Sequence, residues 1–283
     1  MRTLLTVVAD GTATPVLETA LLAARKFDGR IIGLNALTTE YAVVFGGEMG
    51  FSVSSEVDRT LEREGQDRRD QARALFDAFM RQHGVPITAG ANAPVQGVSA
   101  EWREESGRQN AVVGSLGRIF DLIVVERPAK LASLAEATLE DALFESGRPV
   151  LMAPPKPPLT IGERIVIAWN GSTETARTVA MAMPYLALAQ QVTVLSVEGA
   201  MQPGPTGDEL AAALRQRGVA ANARNMAASN RQAGEVFLAE AKAADSDLLI
   251  KGAYTQSRLR QMIFGGATRY IIMEADIPVI LAH

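Results

Sequence analysis

The chain has 283 residues, 47% of them hydrophobic and 21% charged, a balance that fits a globular protein with a sizeable core. A net charge of -4 and a pI near 5.4 argue against a life on the nucleic-acid backbone, and an aromatic content of 5% argues against a surface of stacked bases or sugars. Cysteine is absent, which excludes disulfides, Cys-based zinc sites and thiol catalysis, and a metal cluster or triad would have to draw on His83 or His283, the two histidines.

In chain order, "LLTVVADGTATPVLETALLAA" (4–24) reads as a short apolar strand, then Asp10 and a glycine, then an apolar helix. The start turns polar by Asp10, unlike a signal peptide, and no apolar run approaches the roughly 20 residues that span a bilayer, so a cytoplasmic location is expected. "IIGLNAL" is the second strand. A Gly- and Met-containing loop, "YAVVFGGEMGF" (41–51), follows; burial against its own domain is expected, with a crevice cover or an oligomer contact as alternatives. Next comes a long amphipathic helix whose acidic and basic residues alternate at helical spacing, a solvated face with i,i+4 pairs. His83 stands before Gly84 at its end, a capping position rather than a catalytic one. "VSAEWREE" is the third strand, with Trp102 partly exposed, and "FDLIVVERPAK" (120–130) and "GRPVLMAPP" (147–155) carry the last two.

"PPKPPLT" (154–160) holds four prolines in seven residues and can form neither a helix nor a central strand; it is an extended linker. Beyond it strands are predicted near 164–169, 191–197, 219–227, 247–252 and 278–282, and helices near 173–187, 206–217, 231–244 and 266–275. This second half echoes the first. "RIVIAWNGSTETARTVAMAMP" (164–184) parallels 4–24, "SDLLIKGAYTQ" (246–256) parallels 120–130, and "DIPVILAH" (276–283) parallels 147–155, so the chain is an internal duplication with domains at 1–155 and 162–283. Continuous Val, Ile and Leu strands alternating with helices predict a parallel sheet covered on both faces: two doubly wound five-stranded α/β domains. The last strands, 149–153 and 278–282, are expected to pair across a pseudo-twofold axis.

In such a sheet a ligand sits beyond the carboxyl ends of the strands, where the order of strand addition reverses. In the second half that point lies between Asn170-Gly171-Ser172 and Gly252. The intervening stretch "KGAYTQSRLRQMIFGGATR" (251–269) has four basic residues and no acidic one. Gly252 lets the backbone leave the strand unhindered, while Gly265 and Gly266 precede a helix whose free N–H groups favour an anion. Thr268 offers a hydroxyl, and Arg258, Arg260 and Arg269 raise the potential. Neither a Walker A loop nor GxGxxG occurs, and the alternative is a tight helix entry with solvated arginines.

The tandem plan, "AWNGS", and "GAYTQSRLRQMIFGGATR" ahead of "IPVILAH" resemble the universal stress protein (UspA) family, in its bacterial tandem-domain form. The resemblance implies an adenine nucleotide alpha hydrolase-like fold and a stress-response role. It further implies ATP or AMP as ligand, with magnesium only alongside ATP. In nucleotide-binding members the fourth strand leads into G-x2-G-x9-G-[S/T], which wraps the phosphates. Carried over, Gly252 and Gly265 match, while Thr255 replaces the second glycine and Gly266 the hydroxyl residue. Ser257, Arg258, Ala267 and Thr268 belong to the same implied loop, and Val197, after Ser196, stands at the family's adenine-contacting backbone. The family's Asp after the first strand is Asn170 here and Asp10 in the first half. The first half's counterpart, "ERPAKLASLAEATLEDALFES", has no glycine and five acidic residues against two basic, a loop unsuited to phosphate. No catalyst is expected. The partners implied are an adenine nucleotide and unidentified proteins, with neither nucleic acid nor membrane. The assembly implied is a monomer with paired domains or a homodimer. A nucleotide-free scaffold is the alternative, and a small hydrolase or transferase a third reading.

Overall fold

The computed structural model of the chain describes residues 1–11, 13–37, 55–88, 97–227, 231–253 and 266–283, with the side chains of all but 37 and 55–62. The first half runs β1 (Thr3–Val7), α1 (Thr14–Phe27), β2 (Arg30–Leu37), α2 (Ser55–Gln82), β3 (Ser99–Ser106), α3 (Gln109–Leu116), a 3-10 turn (Gly117–Ile119), β4 (Leu122–Glu126), α4 (Leu134–Glu145) and β5 (Val150–Ala153). The second runs β6 (Arg164–Trp169), α5 (Thr173–Met181), α6 (Met183–Leu186), β7 (Gln191–Val197), α7 (Gly207–Gln216), β8 (Ala221–Met226), α8 (Ala233–Ala243), β9 (Leu248–Gly252), α9 (Gly266–Glu274) and β10 (Val279–Ala282).

The strands form one ten-stranded sheet in the order β3-β2-β1-β4-β5-β10-β9-β6-β7-β8. Each half is doubly wound, its chain adding strands first outward on one side of β1 or β6 and then on the other. Every pairing is parallel except β5 with β10, which is antiparallel with Ile280 opposite Leu151, as the pseudo-twofold expectation requires. β9 and β10 are buried end to end and β4 as far as Glu126, which is why their sequences are apolar runs broken only by Glu126 and Lys251. Two layers of core lie on the two faces. One packs α1, α2, α5, α6 and α7 through Leu17, Phe76, Val179, Tyr185 and Leu214. The other packs α3, α4, α8 and α9 through Val113, Leu139, Phe237 and Ile271. Both continue across the β5–β10 seam, where Phe27 of α1 meets Tyr185 of α6 edge-on at 4.8 Å.

The duplication extends to fine detail. Asp121 accepts bonds from the N–H groups of Arg2 and Thr3 at 2.7 and 3.0 Å, and Asp247 accepts them from Glu163 and Arg164, each at 2.9 Å. Each carboxylate thus satisfies the open backbone at the start of its half's first strand.

Two sequence expectations are corrected here. The single helix at 173–187 is broken at Ala182, because Pro184 has no N–H to continue the ladder and instead starts a new short helix. In strand register, Leu4 faces Leu122 and Ile165 faces Leu248, so Ala9, not Asp10, falls at the place of Asn170. Trp102 and His83 stand as expected. Trp169 is buried, and Trp102 is half-exposed, tilted on Phe76 at 5.2 Å beneath the Arg73 guanidinium. His83 closes α2, with its ring against Phe79 and Nε2 3.5 Å from Glu18. The loop 41–51 lies outside the described residues.

Candidate functional site

β6 and β9 are neighbours whose chains leave in opposite directions: β6 into α5 on one face, β9 toward α9 on the other. The crevice between their carboxyl ends is where a doubly wound sheet exposes backbone without pairing it.

Its β6 side is a tight turn. Buried Asn170 accepts through Oδ1 from the Ser172 N–H at 3.2 Å and from the Thr175 hydroxyl at 2.7 Å, the side-chain turn that suits Asn or Asp before a helix. Ser172 then caps α5, its Oγ accepting from the Thr175 N–H at 3.2 Å. Gly171 has φ +78, and a Cβ there would lie 2.9 Å from the Gln202 carbonyl oxygen, so glycine is required twice over. The contact arises because the β7–α7 connection folds back onto this turn. The Gln202 N–H donates to the Asn170 carbonyl at 2.7 Å and Trp169 Nε1–H donates to the Pro205 carbonyl at 2.8 Å. Gly204 lies so close that a Cβ on it would be 2.7 Å from the Gly171 carbonyl oxygen. Sequence reasoning missed this strap; its signal was the Gly- and Pro-bearing run "EGAMQPGP".

On the β9 side, Gly252 is demanded by packing as well as by the exit of the chain. A Cβ there would sit 2.4 Å from the Thr175 nitrogen and 2.7 Å from the Glu174 carbonyl carbon, so β9 ends in direct contact with the first turn of α5. α9 begins at Gly266, which is exposed and open to 3.8 Å, followed by half-buried Ala267 and buried Thr268. Thr255, Ser257, Arg258 and Gly265 lie outside the described residues. Thus Asn170, Gly171, Ser172 and Gly252 come together around one helix start. Val197 is buried at the end of β7, its carbonyl accepting from the Ala200 N–H at 3.1 Å, beside a cavity of about 410 Å³ shared with Ser196, Met201 and Met226.

The residue that sequence reasoning passed over is Lys251. It is 4% exposed, its Nζ donates to the Gly252 carbonyl at 3.3 Å, and burial lowers its pKa to about 8 against the opposing pull of Glu174. A charged residue interrupting the apolar run "LLIKG" was the available sign.

The first half is built differently at the same place. Glu126 falls where Gly252 stands, its carboxyl pushed up by burial and by the charge of Asp10. Gln109, Thr138 and these two acids border a cavity of about 10 Å³, room for about one water. The start of α4 is occupied from within: Ser133 Oγ accepts from the Glu136 N–H at 3.2 Å, and the Glu136 carboxylate accepts from the Ala132 N–H. At the chain end, His283 packs against Phe144 of the first half at 4.7 Å, with Nδ1 3.2 Å from the Ala253 carbonyl oxygen, a structural seat at the seam. Among the described residues no cluster of acidic and histidine side chains is spaced to hold a metal ion, and no helix is long and apolar enough to cross a membrane.

A tandem, doubly wound α/β protein with one glycine-lined crevice is the class these features define. Residues 162–283 match the sequence model of the Universal stress protein family. A universal stress protein from Archaeoglobus fulgidus DSM 4304 superposes with a TM-score of 0.68 at 15% identity, over 99% of this chain and 95% of its own. A protein described as a universal stress protein from Pseudomonas aeruginosa UCBPP-PA14 gives 0.54 at 16%, over 100% and 93%. No curated protein matches the sequence. The second half of the chain thus matches the Universal stress protein family, and the whole chain has the fold of these universal stress protein structures.

Proposed function

We propose that the protein is a stress-response protein that binds one adenine nucleotide, ATP or AMP, in the crevice of its second half, with magnesium entering only alongside ATP. The observation that carries this is the meeting of Gly252 with the first turn of α5, which sets the positive end of that helix beside a basic, glycine-bearing connection. Asn170, Gly171 and Ser172 would border the ligand, Val197 its base, and Thr255, Ser257, Arg258, Gly265, Gly266, Ala267 and Thr268 its phosphates. The first half, with Glu126 and Glu136 where an anion would sit, takes no phosphate and serves structure or partner contacts. We assign no catalytic residue and infer a cytoplasmic protein acting through its liganded state on protein partners, as a monomer of paired domains or a homodimer. Titration calorimetry with ATP and AMP, with and without magnesium, tests the proposal: saturable heat is expected, and no binding up to millimolar nucleotide overturns it. One observation favours a nucleotide-free scaffold instead, namely the strap of Gln202, Gly204 and Pro205 seated on Asn170 and Gly171. In that case the strap resists proteolysis equally with and without nucleotide.

A further inference from the structure

Side chains alternate along β9. Leu248, Ile250 and Gly252 face α5, while Leu249 and Lys251 face the layer of α8 and α9. A lysine in that apolar layer needs a reason. Its ammonium group has one hydrogen bond among the described residues, a long one to the adjacent Gly252 carbonyl, and no ion pair among them. The carboxylate that reaches it electrostatically is Glu174, on the first turn of α5. The elements around it bring other charges: Glu235, Glu240 and Lys242 on α8, Arg269 and Glu274 on α9, and His283 after β10. Of these, Glu240 is engaged with Arg224 at 2.8 Å and His283 with Ala253. A buried cation held by one neutral carbonyl is short of an anion. The groups that sense it, Gly252 and Glu174, both lie at the carboxyl end of the sheet, so the ammonium stands on the floor of the crevice, not in mid-core. In the first half the register places Val125 at this position, so the charge belongs to the second crevice alone.

We propose that Lys251 is an anion-binding residue, whose ammonium exchanges the Gly252 carbonyl for a phosphate oxygen of a ligand seated in the crevice. The inference rests on the reading that this crevice takes a phosphate-bearing ligand, and it assigns the charge to a side chain outside the glycine pattern. An ion pair with a phosphate oxygen replaces a long hydrogen bond from the ammonium to a neutral carbonyl. Binding also favours the protonated amine, so near pH 8, where the free group is about half protonated, ligand binding takes up a fraction of a proton. At pH 6.5 the amine is already charged and its own uptake vanishes, leaving only the exchange of the phosphate's proton, whose pKa is about 6.

The test is titration calorimetry on the full chain with ATP, AMP and inorganic pyrophosphate, at pH 8 and 6.5, in two buffers of different ionisation enthalpy. Wild type is compared with Lys251→Met, of similar length and apolar, and Lys251→Gln, which keeps a donor without charge. Both variants are expected to weaken phosphate-ligand binding by about tenfold to a hundredfold and to abolish the buffer-dependent heat at pH 8. Circular dichroism is expected to leave the fold intact, since methionine suits the apolar layer; should Lys251→Met fail to fold, Lys251→Gln decides. Unchanged affinity and unchanged proton uptake in the variants overturn the role of Lys251 and leave the nucleotide reading standing. Pyrophosphate bound through Lys251, with ATP and AMP no tighter, keeps Lys251 and overturns the adenine reading. No binding of any of the three to wild type overturns both.

Discussion

Gly252 and Lys251 are adjacent, and the physics of their positions differs sharply. At Gly252 the nearest atoms to an added Cβ are backbone, which cannot swing aside. Gly252→Ala is therefore expected to destabilise the protein by about 1–3 kcal/mol, read as a lowered denaturant midpoint at unchanged slope. An alanine that left the midpoint alone would mean that α5 does not rest on β9. Asp121 gives a pH prediction. Burial alone would raise its pKa, but the Arg2 and Thr3 N–H donors, the Thr3 hydroxyl and the amino-terminal charge together outweigh burial and hold it below the ordinary carboxylate value. A depressed folded-state pKa contributes stability above the unfolded value and loses it as pH falls through the folded one. Wild type should accordingly lose more stability than Asp121→Asn between neutral pH and pH 3. The difference should stay under about 1 kcal/mol because the group is partly solvated. The residue scale is also where sequence reading ran out. Glycine's role at 252 was visible as punctuation, but its cause is a helix packed from the other side of the chain. Lys251 looked like one more basic residue of a basic stretch until the sheet buried it.

At the scale of elements, the strands were legible to within a few residues because a parallel strand covered on both faces must be continuously apolar. β6 and β7 lie where the pattern put them, and the third strand of each half starts and stops close to its predicted span. What the pattern could not carry was pairing. The one-residue offset between Asp10 and Asn170 appears only when the registers of β1 and β6 are laid side by side. The strap after β7 is a tertiary contact of the same kind, invisible as periodicity. It is held in part by Trp169 Nε1–H on the Pro205 carbonyl. Trp169→Phe deletes that donor and leaves a gap where the larger indole packed, so it is expected to cost about 1–3 kcal/mol and to speed proteolytic cleavage between residues 198 and 206. Cleavage at the wild-type rate would show that the strap is held by other contacts.

The whole molecule is two halves of matching strand order joined through their last strands into one sheet, with core layers that cross the seam. The chain holds two tryptophans, Trp102 in the first half and Trp169 in the second, so each half carries its own reporter. Because β5–β10 pairing and the Phe27–Tyr185 contact tie the halves together, in each single-tryptophan variant, Trp102→Phe and Trp169→Phe, the urea midpoint read by the remaining tryptophan is expected to coincide with that read by far-UV circular dichroism. Separate midpoints would make the halves independent. The two halves differ at the matching place in their topology. One crevice ends in glycine beside a buried lysine; the other ends in Glu126, with Glu136 folded onto the helix start. Equilibrium dialysis of the full chain against ATP measures this asymmetry most directly. Saturation at one nucleotide per chain is predicted. Two per chain, or none up to millimolar ATP, would contradict it.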